Sequence, residues 1–310
     1  MKTLSQNTFQ QARNWIMTEA RPLEQALFSY EYENGSADDV LDELSKFQNK
    51  DGGFGHGLEA DFRMPQSSPM ATSVGLQHLI QFADQPKAET MIQEAIRYLE
   101  YSFLEERQGW LAVPKEINDY PHAFWWSVHD NGMSWIDDNW GNPSAELIGY
   151  LHIFEHYVAA LNVPKLVDQA VQHFLELEEF PSEHEIYCYL RLLAMVPSQR
   201  TEKVEKQLER AVQAVVKLDR ENWEKYVPFP LKFVASPESK TYGIPQFKVE
   251  DNLDYFVEKI EEHGVVEPTW AWNDYMDVWE EAKREWTGVL TLGTLGGLKR
   301  FNRLETENKL

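Results

Sequence analysis

The chain has 310 residues, which suffices for a large buried core, and a 43% hydrophobic content excludes a generally disordered protein. A net charge of -22 repels phosphate backbones and anionic headgroups, so we expect no nucleic-acid partner. One cysteine excludes an intrachain disulfide framework, and the lack of any secretion signal or membrane-spanning stretch predicts a cytoplasmic protein without stable membrane insertion.

Apolar residues recur at helical spacing and no convincing set of alternating strands is present, so the sequence predicts an all-α protein. A first helix is expected near 9–29. A second begins after Ser36, and a third begins at Ser68 and Pro69, because serine caps a helix and proline fits its first turn. Further helices are expected near 88–105, 143–161, 164–178, 182–196, 201–218, 228–238, 249–263 and 280–302, with long loops at 106–141 and 219–248.

The third helix has a second copy later in the chain. Residues 69–78 read PMATSVGLQH and residues 143–152 read PSAELIGYLH, and both fit the pattern P-x-A-x-x-x-G-x-x-H. Helix pairs that repeat cannot bury their apolar faces singly and must stack. A closed stack would place six inner helices inside an outer ring, as a single domain over residues 1–310. The inner helices are expected near 9–29, 68–84, 143–161, 182–196, 228–238 and 280–302.

A glycine-rich turn precedes the third helix. The stretch DGGFGHG at 51–57 ends an outer helix, and we expect Phe54 to fill the gap between two helices. QNKDGGFGHG followed by SSPMATSVGLQHL resembles the squalene cyclase-like repeat of the terpenoid cyclase and protein prenyltransferase superfamily, over residues 41–83 and more weakly over 98–161. The resemblance implies an α/α toroid, a double ring of about five to six helical hairpins around an aromatic-lined cavity.

The catalytic signatures of that superfamily are absent. The run Ser134–Asp138 lacks the first Asp of the Asp-x-Asp-Asp acid motif, and Cys188 has no Asp two residues before it, as a zinc-binding Asp-x-Cys pair requires. We therefore predict no metal and no cofactor. His152-Ile153-Phe154-Glu155-His156 spells an inverted zinc-protease motif, but His152 is already explained as the repeat partner of His78.

Four carboxylates are candidate catalytic acids: Glu59, Asp61, Asp137 and Asp138. The first two lie in the loop that leads to the third helix, where a carboxylate beside apolar walls can donate a proton. The alternative is a salt bridge to Arg63 that fixes the loop. Candidate substrate-binding residues come from this loop, the repeat helices and two Trp-rich, acidic loops, and they are His56, Arg63, His78, His122, Trp125, Trp126, Trp140, Glu146, His152, Trp270, Trp272 and Asp274.

Three functions fit these features. The first is binding of a small hydrophobic, isoprenoid-type molecule in a central cavity, with acid-initiated cyclisation or transfer, since aromatic faces stabilise carbocations. The second is a carbohydrate-active toroid, a glycosidase or polysaccharide lyase, since aromatic rings stack on sugars and paired carboxylates cleave glycosidic bonds. The third is a non-catalytic binding protein on the same fold.

Overall fold

The structure of the protein is a computed structural model, and it describes residues 1–305. Over those residues the chain forms eleven α-helices, joined by loops and short 3-10 helices, with isolated β-bridges in place of strands. The prediction of an all-α protein is confirmed. The helices are α1 (Gln6–Glu19), α2 (Pro22–Tyr32), α3 (Ala37–Ser45), α4 (Pro69–Leu79), α5 (Pro86–Tyr101), α6 (Gly141–Ile153), α7 (Val163–Glu176), α8 (Glu183–Met195), α9 (Glu202–Val215), α10 (Gln246–His263) and α11 (Met276–Arg300).

Helix starts follow the capping residues in the sequence. The Ser68 side chain accepts a hydrogen bond from the Ala71 backbone N–H, and Pro69 is the first residue of α4. Asn162 and Ser182 cap α7 and α8 in the same way. These caps satisfy backbone N–H groups that have no partner within the helix.

Two of the six predicted inner helices are wrong. The helix expected at 9–29 is two helices, because Pro22 has no backbone N–H and disfavours helical geometry in Arg21, whose ψ is 152°. The segment at 228–238 contains only a 3-10 turn, Pro230–Lys232, where Pro230 again removes a donor. The toroid itself stays a prediction.

The chain forms two compact units. The first contains Met1–Ser36, Val212–Ala271 and the residues from Asp277 on, and the second contains Ala37–Ala211 and Trp272–Met276. In the second unit α6 packs against α7 and α8, and α4 packs against α5 and α6. Within residues 1–305, every helix is too short or too polar to cross a lipid bilayer.

The glycine-rich turn places Phe54 against α4. Gly52 has a φ of +94° and Gly57 a φ of +75°, which favour glycine over residues with a Cβ. Phe54 is fully buried, and its ring lies so close to Gly75 of α4 that a Cβ on Gly75 would stand 2.6 Å from ring atom Cδ2. The Phe54 backbone N–H donates to Thr72 Oγ1 at 3.0 Å. Phe54 therefore fixes the turn against the first half of α4.

Candidate functional site

Two loops of the second unit pair beside α4. The Ala123 N–H donates to the Asp61 carbonyl oxygen and the Arg63 N–H donates to the Pro121 carbonyl oxygen, both at 2.9 Å. Between these bonds Phe62 and His122 form an antiparallel bridge. The pairing brings together the two stretches from which most of the predicted site residues come.

Trp272 contacts the first of these loops, although it lies about 200 residues later in the chain. Its side chain is fully buried, and its indole Nε1–H donates to Asp61 Oδ1 at 2.8 Å. Asp61 is only 6% exposed. The Arg63 guanidinium carbon lies 5.9 Å from the centroid of the Trp272 ring, within cation–π range. The structure thus places a buried carboxylate, an indole and a cation in one cluster, which we call the Asp61 centre.

His122 and Trp126 extend the Asp61 centre. His122 is buried, with Nδ1 2.6 Å from the Tyr120 carbonyl oxygen and Nε2 2.9 Å from Ser127 Oγ. A carbonyl oxygen only accepts, so Nδ1 donates the first of these bonds. The Trp126 ring meets Phe62 edge to face, with centroids 5.4 Å apart. The loop pairing thus brings Trp126 against Phe62, the residue that follows Asp61.

Exposed aromatic side chains lie on the loop that follows. Trp125 is half-buried beside Phe124, and Trp135 is 56% exposed, with its ring 4.9 Å from that of His129. Single exposed aromatics are common, but several on one loop can contact a ligand.

Asp137 has a structural role. Its Oδ1 accepts from the Ala112 N–H at 2.7 Å, and its Oδ2 accepts from the Ser134 N–H at 2.8 Å and from Ser134 Oγ at 2.7 Å. These bonds form a capping box that holds two loop segments together. The neighbouring Asp138 is exposed. Among the four predicted acids, Asp61 is the one buried beside Trp272, and Glu59 lies next to it, accepting from the Asp61 N–H at 3.3 Å.

Glu146 belongs to a second buried cluster, between α6 and α8. Its carboxylate accepts from Tyr150 Oη at 2.9 Å and from Arg191 Nη1 at 3.0 Å, and Cys188 Sγ lies 3.8 Å away. Burial, with Glu146 as a second cause, raises the pKa of the Cys188 thiol well above its ordinary value. Cys188 is therefore a poor nucleophile. Sequence reasoning missed Tyr150 and Arg191, although Glu146 and Tyr150 are four residues apart on one helical face.

The contacts described for the remaining predicted residues are with residues outside the Asp61 centre. Trp140 donates to the Arg107 carbonyl oxygen at 3.0 Å and stacks on His173. His56 is exposed and bonds to Asn49, and Asp274 is exposed. Trp270 belongs to the first unit, where it contacts Tyr226 and Trp286.

The repeat histidines do not form a metal site. His78 and His152 are half-buried, and α6 ends at Ile153, so His156 of the zinc-protease pattern lies beyond the helix and is exposed. Within the described residues no group of three or more His, Cys, Asp or Glu side chains could hold a metal ion.

Comparison of the chain with protein-family models, with curated proteins and with solved structures finds no match. Inferences about its function therefore depend on its own residues and contacts.

Proposed function

We propose that the chain binds a hydrophobic, isoprenoid-type molecule and acts on it through Asp61. The observation that carries this proposal is the burial of the Asp61 carboxylate against the indole of Trp272, with a hydrogen bond of 2.8 Å. A carboxylate costs free energy to bury, so a buried carboxylate beside an indole and a cation is a candidate functional group.

The aromatic rings of the Asp61 centre and of the paired loops fit this chemistry. A developing carbocation is attracted to the faces of Trp and Phe rings, and Trp126, Trp272 and Phe62 supply such rings. The exclusion of water from a site strengthens the interaction between a carboxylate and a nearby cation. In its protonated form Asp61 would start the reaction by giving its proton to the bound molecule, and the carboxylate left behind would stabilise the resulting cation.

The sequence resemblance supports the same substrate class, since the turn around Phe54 and the helix α4 carry the squalene cyclase-like repeat. Because the Asp-x-Asp-Asp and zinc signatures are missing, the acid must come from another residue. Asp61 is the only one of the four predicted acids placed beside Trp272 by the contacts described for residues 1–305.

The test is turnover of farnesol, farnesyl diphosphate and squalene, followed by gas chromatography and mass spectrometry. We expect Asp61→Asn to abolish product formation and Trp272→Phe, which removes only the N–H donor and part of the ring, to reduce it about 10- to 100-fold. Asp138→Asn, on an exposed carboxylate, is the matched control and should retain full turnover. Unchanged turnover in Asp61→Asn would exclude Asp61 as the acting group.

Binding without turnover in the unmodified protein would favour the non-catalytic binding function. Mass spectrometry of lipid that copurifies with the protein distinguishes these cases, because a binding protein retains its ligand. If none of the three probes binds and no lipid copurifies, the isoprenoid proposal is rejected.

A second candidate function, carbohydrate binding or cleavage, is favoured by a groove in the first unit. The groove has a volume of about 380 Å³ and is lined by Arg220, Glu221, Glu224, Tyr255, Glu258, Lys259 and Glu262. Several carboxylates line this groove, of which Glu224 and Glu258 are paired with Lys259 and Arg220. Cleavage of a glycosidic bond requires two carboxylates beside the sugar. Release of reducing sugar from soluble polysaccharides, lost in Glu258→Gln, would favour this function over the first.

A further inference from the structure

We propose that helix α8 carries a binding site for a carboxylic acid, with Arg191 as the residue that receives the carboxylate. Arg191 pairs with a buried residue although much of its own side chain is exposed. Its Nη1 reaches Glu146, whose side chain is 2% exposed, yet the Arg191 side chain is 42% exposed. Among the described residues, the guanidinium donates hydrogen bonds to Glu146 alone. The guanidinium has five N–H donors, and the bond to Glu146 uses one of them.

Glu146 makes Arg191 a preorganised donor. A free arginine side chain loses several rotamers when it binds a ligand, and this loss weakens binding. Here the ion pair at 3.0 Å already fixes the guanidinium, and Tyr150 Oη, at 2.9 Å from the other carboxylate oxygen, fixes Glu146. Glu146 and Tyr150 are thus positioning residues, while the outer edge of Arg191 offers parallel donors that match the two oxygens of a carboxylate.

The neighbours of Arg191 on α8 indicate what the rest of the ligand, apart from its carboxylate, would contact. Tyr187 is one turn before Arg191 and His184 is three residues earlier, so the three side chains lie along one helical face. All three are partly exposed. The His184 and Tyr187 rings meet edge to face with centroids 5.6 Å apart. A ligand whose carboxylate binds Arg191 would place a flat or aliphatic body against these rings.

The charge of the site favours a carboxylate over a phosphate. Arg191 brings one positive charge, so the site offers no second charge for a dianion. The whole chain carries a net charge of -22, which penalises each additional negative charge on a ligand. A monoanion with two oxygens therefore fits better than a dianion. This site uses no residue of the Asp61 centre and does not depend on the function proposed above.

The test is a titration of the full chain with benzoate, followed by ligand-observed NMR, beside the neutral isostere benzamide and inorganic phosphate. We expect benzoate to bind more tightly than benzamide, and Arg191→Gln to weaken benzoate binding about tenfold or more. Arg191→Lys keeps the charge but loses the fork of donors, so it should give an intermediate affinity. Arg284→Gln, at an exposed arginine of α11, is the control and should change nothing.

Arg191→Gln leaves Glu146 buried without its cation, which can destabilise the fold. The double variant Glu146→Gln/Arg191→Gln removes both charges, and it should fold and still bind benzoate weakly. Equal binding of benzoate and benzamide would overturn the proposal. So would tighter binding of phosphate than of benzoate, or unchanged benzoate affinity in whichever of the two glutamine variants is folded by circular dichroism.

Discussion

Asp137 and Asp138 are adjacent residues with opposite environments. The first accepts three hydrogen bonds from Ala112 and Ser134, and the second is exposed. We expect Asp137→Ala to lower the free energy of unfolding by roughly 3 kcal/mol, because it leaves buried N–H donors without acceptors. Asp138→Ala should change it by less than about 0.5 kcal/mol. Urea denaturation of both variants checks the pair, and equal losses would contradict the capping role of Asp137.

Two glycines within helices give a second matched pair. A Cβ on Gly75 would stand 2.6 Å from the Phe54 ring, whereas a Cβ on Gly293 of α11 would meet no atom within 4 Å. Gly75→Ala should therefore lower the free energy of unfolding by about 1 kcal/mol, since overpacking exceeds the gain in helix propensity. Gly293→Ala should raise it by about 1 kcal/mol. Thermal unfolding followed by circular dichroism measures both changes, and the same sign for both would show that Phe54 moves aside.

Some of these single-residue contacts could be predicted from the sequence, and others could not. Ser134-x-x-Asp137 is a capping-box pattern and could have revealed the structural role of Asp137 from the sequence. The sequence predicted that Phe54 fills a gap between two helices, but it did not identify Gly75 as the residue that the ring contacts. The bond between Trp272 and Asp61 joins residues 211 positions apart, and no local pattern predicts such a pair.

At the scale of the elements, most helices could be predicted because their caps and apolar periods are local. Helix α4 begins at Pro69 and α8 begins at Glu183, as the capping residues indicate. The errors came at prolines, where Pro22 divides one apolar period into two helices. The long loop before α6 contains three short 3-10 helices, which lack the periodicity of an α-helix and were read as loop.

The junction of α6 and α8 should respond to pH through Glu185. Its Oε1 accepts the Gly141 N–H at the start of α6 at 2.8 Å, and burial raises the pKa of its carboxyl group. A raised pKa in the folded state gives a contribution to stability that is present below the ordinary carboxyl pKa, about 4.3, and is lost as the pH rises through the folded value.

Glu185→Gln keeps the acceptor oxygen and removes the charge. We expect this variant to be more stable than the unmodified chain at pH 7, and the difference to shrink as the pH falls toward about 4.3. Glu183→Gln, on the same helix but half-buried, is the control. Chemical denaturation at several pH values measures the difference, and one that does not vary with pH would show that Glu185 is not the titrating group.

At the scale of the whole molecule, the net charge of -22 is the dominant electrostatic feature. Repulsion among carboxylates opposes compaction, and salt screens it. We expect the Tm to rise by a few degrees between about 10 and 200 mM NaCl, with KCl giving the same shift because screening depends on ionic strength. A Tm that falls with salt would mean that the surface ion pairs outweigh the general repulsion.

The second unit contains a short segment, Trp272–Met276, that arrives after a long passage of chain through the first unit. During translation, Asp61 leaves the ribosome 211 residues before the indole that binds it. Until then the unit lacks this hydrogen bond. A fragment that ends at Ala211 therefore omits Trp272, and excision of this unit for separate expression requires a linker that returns Trp272–Met276 to it.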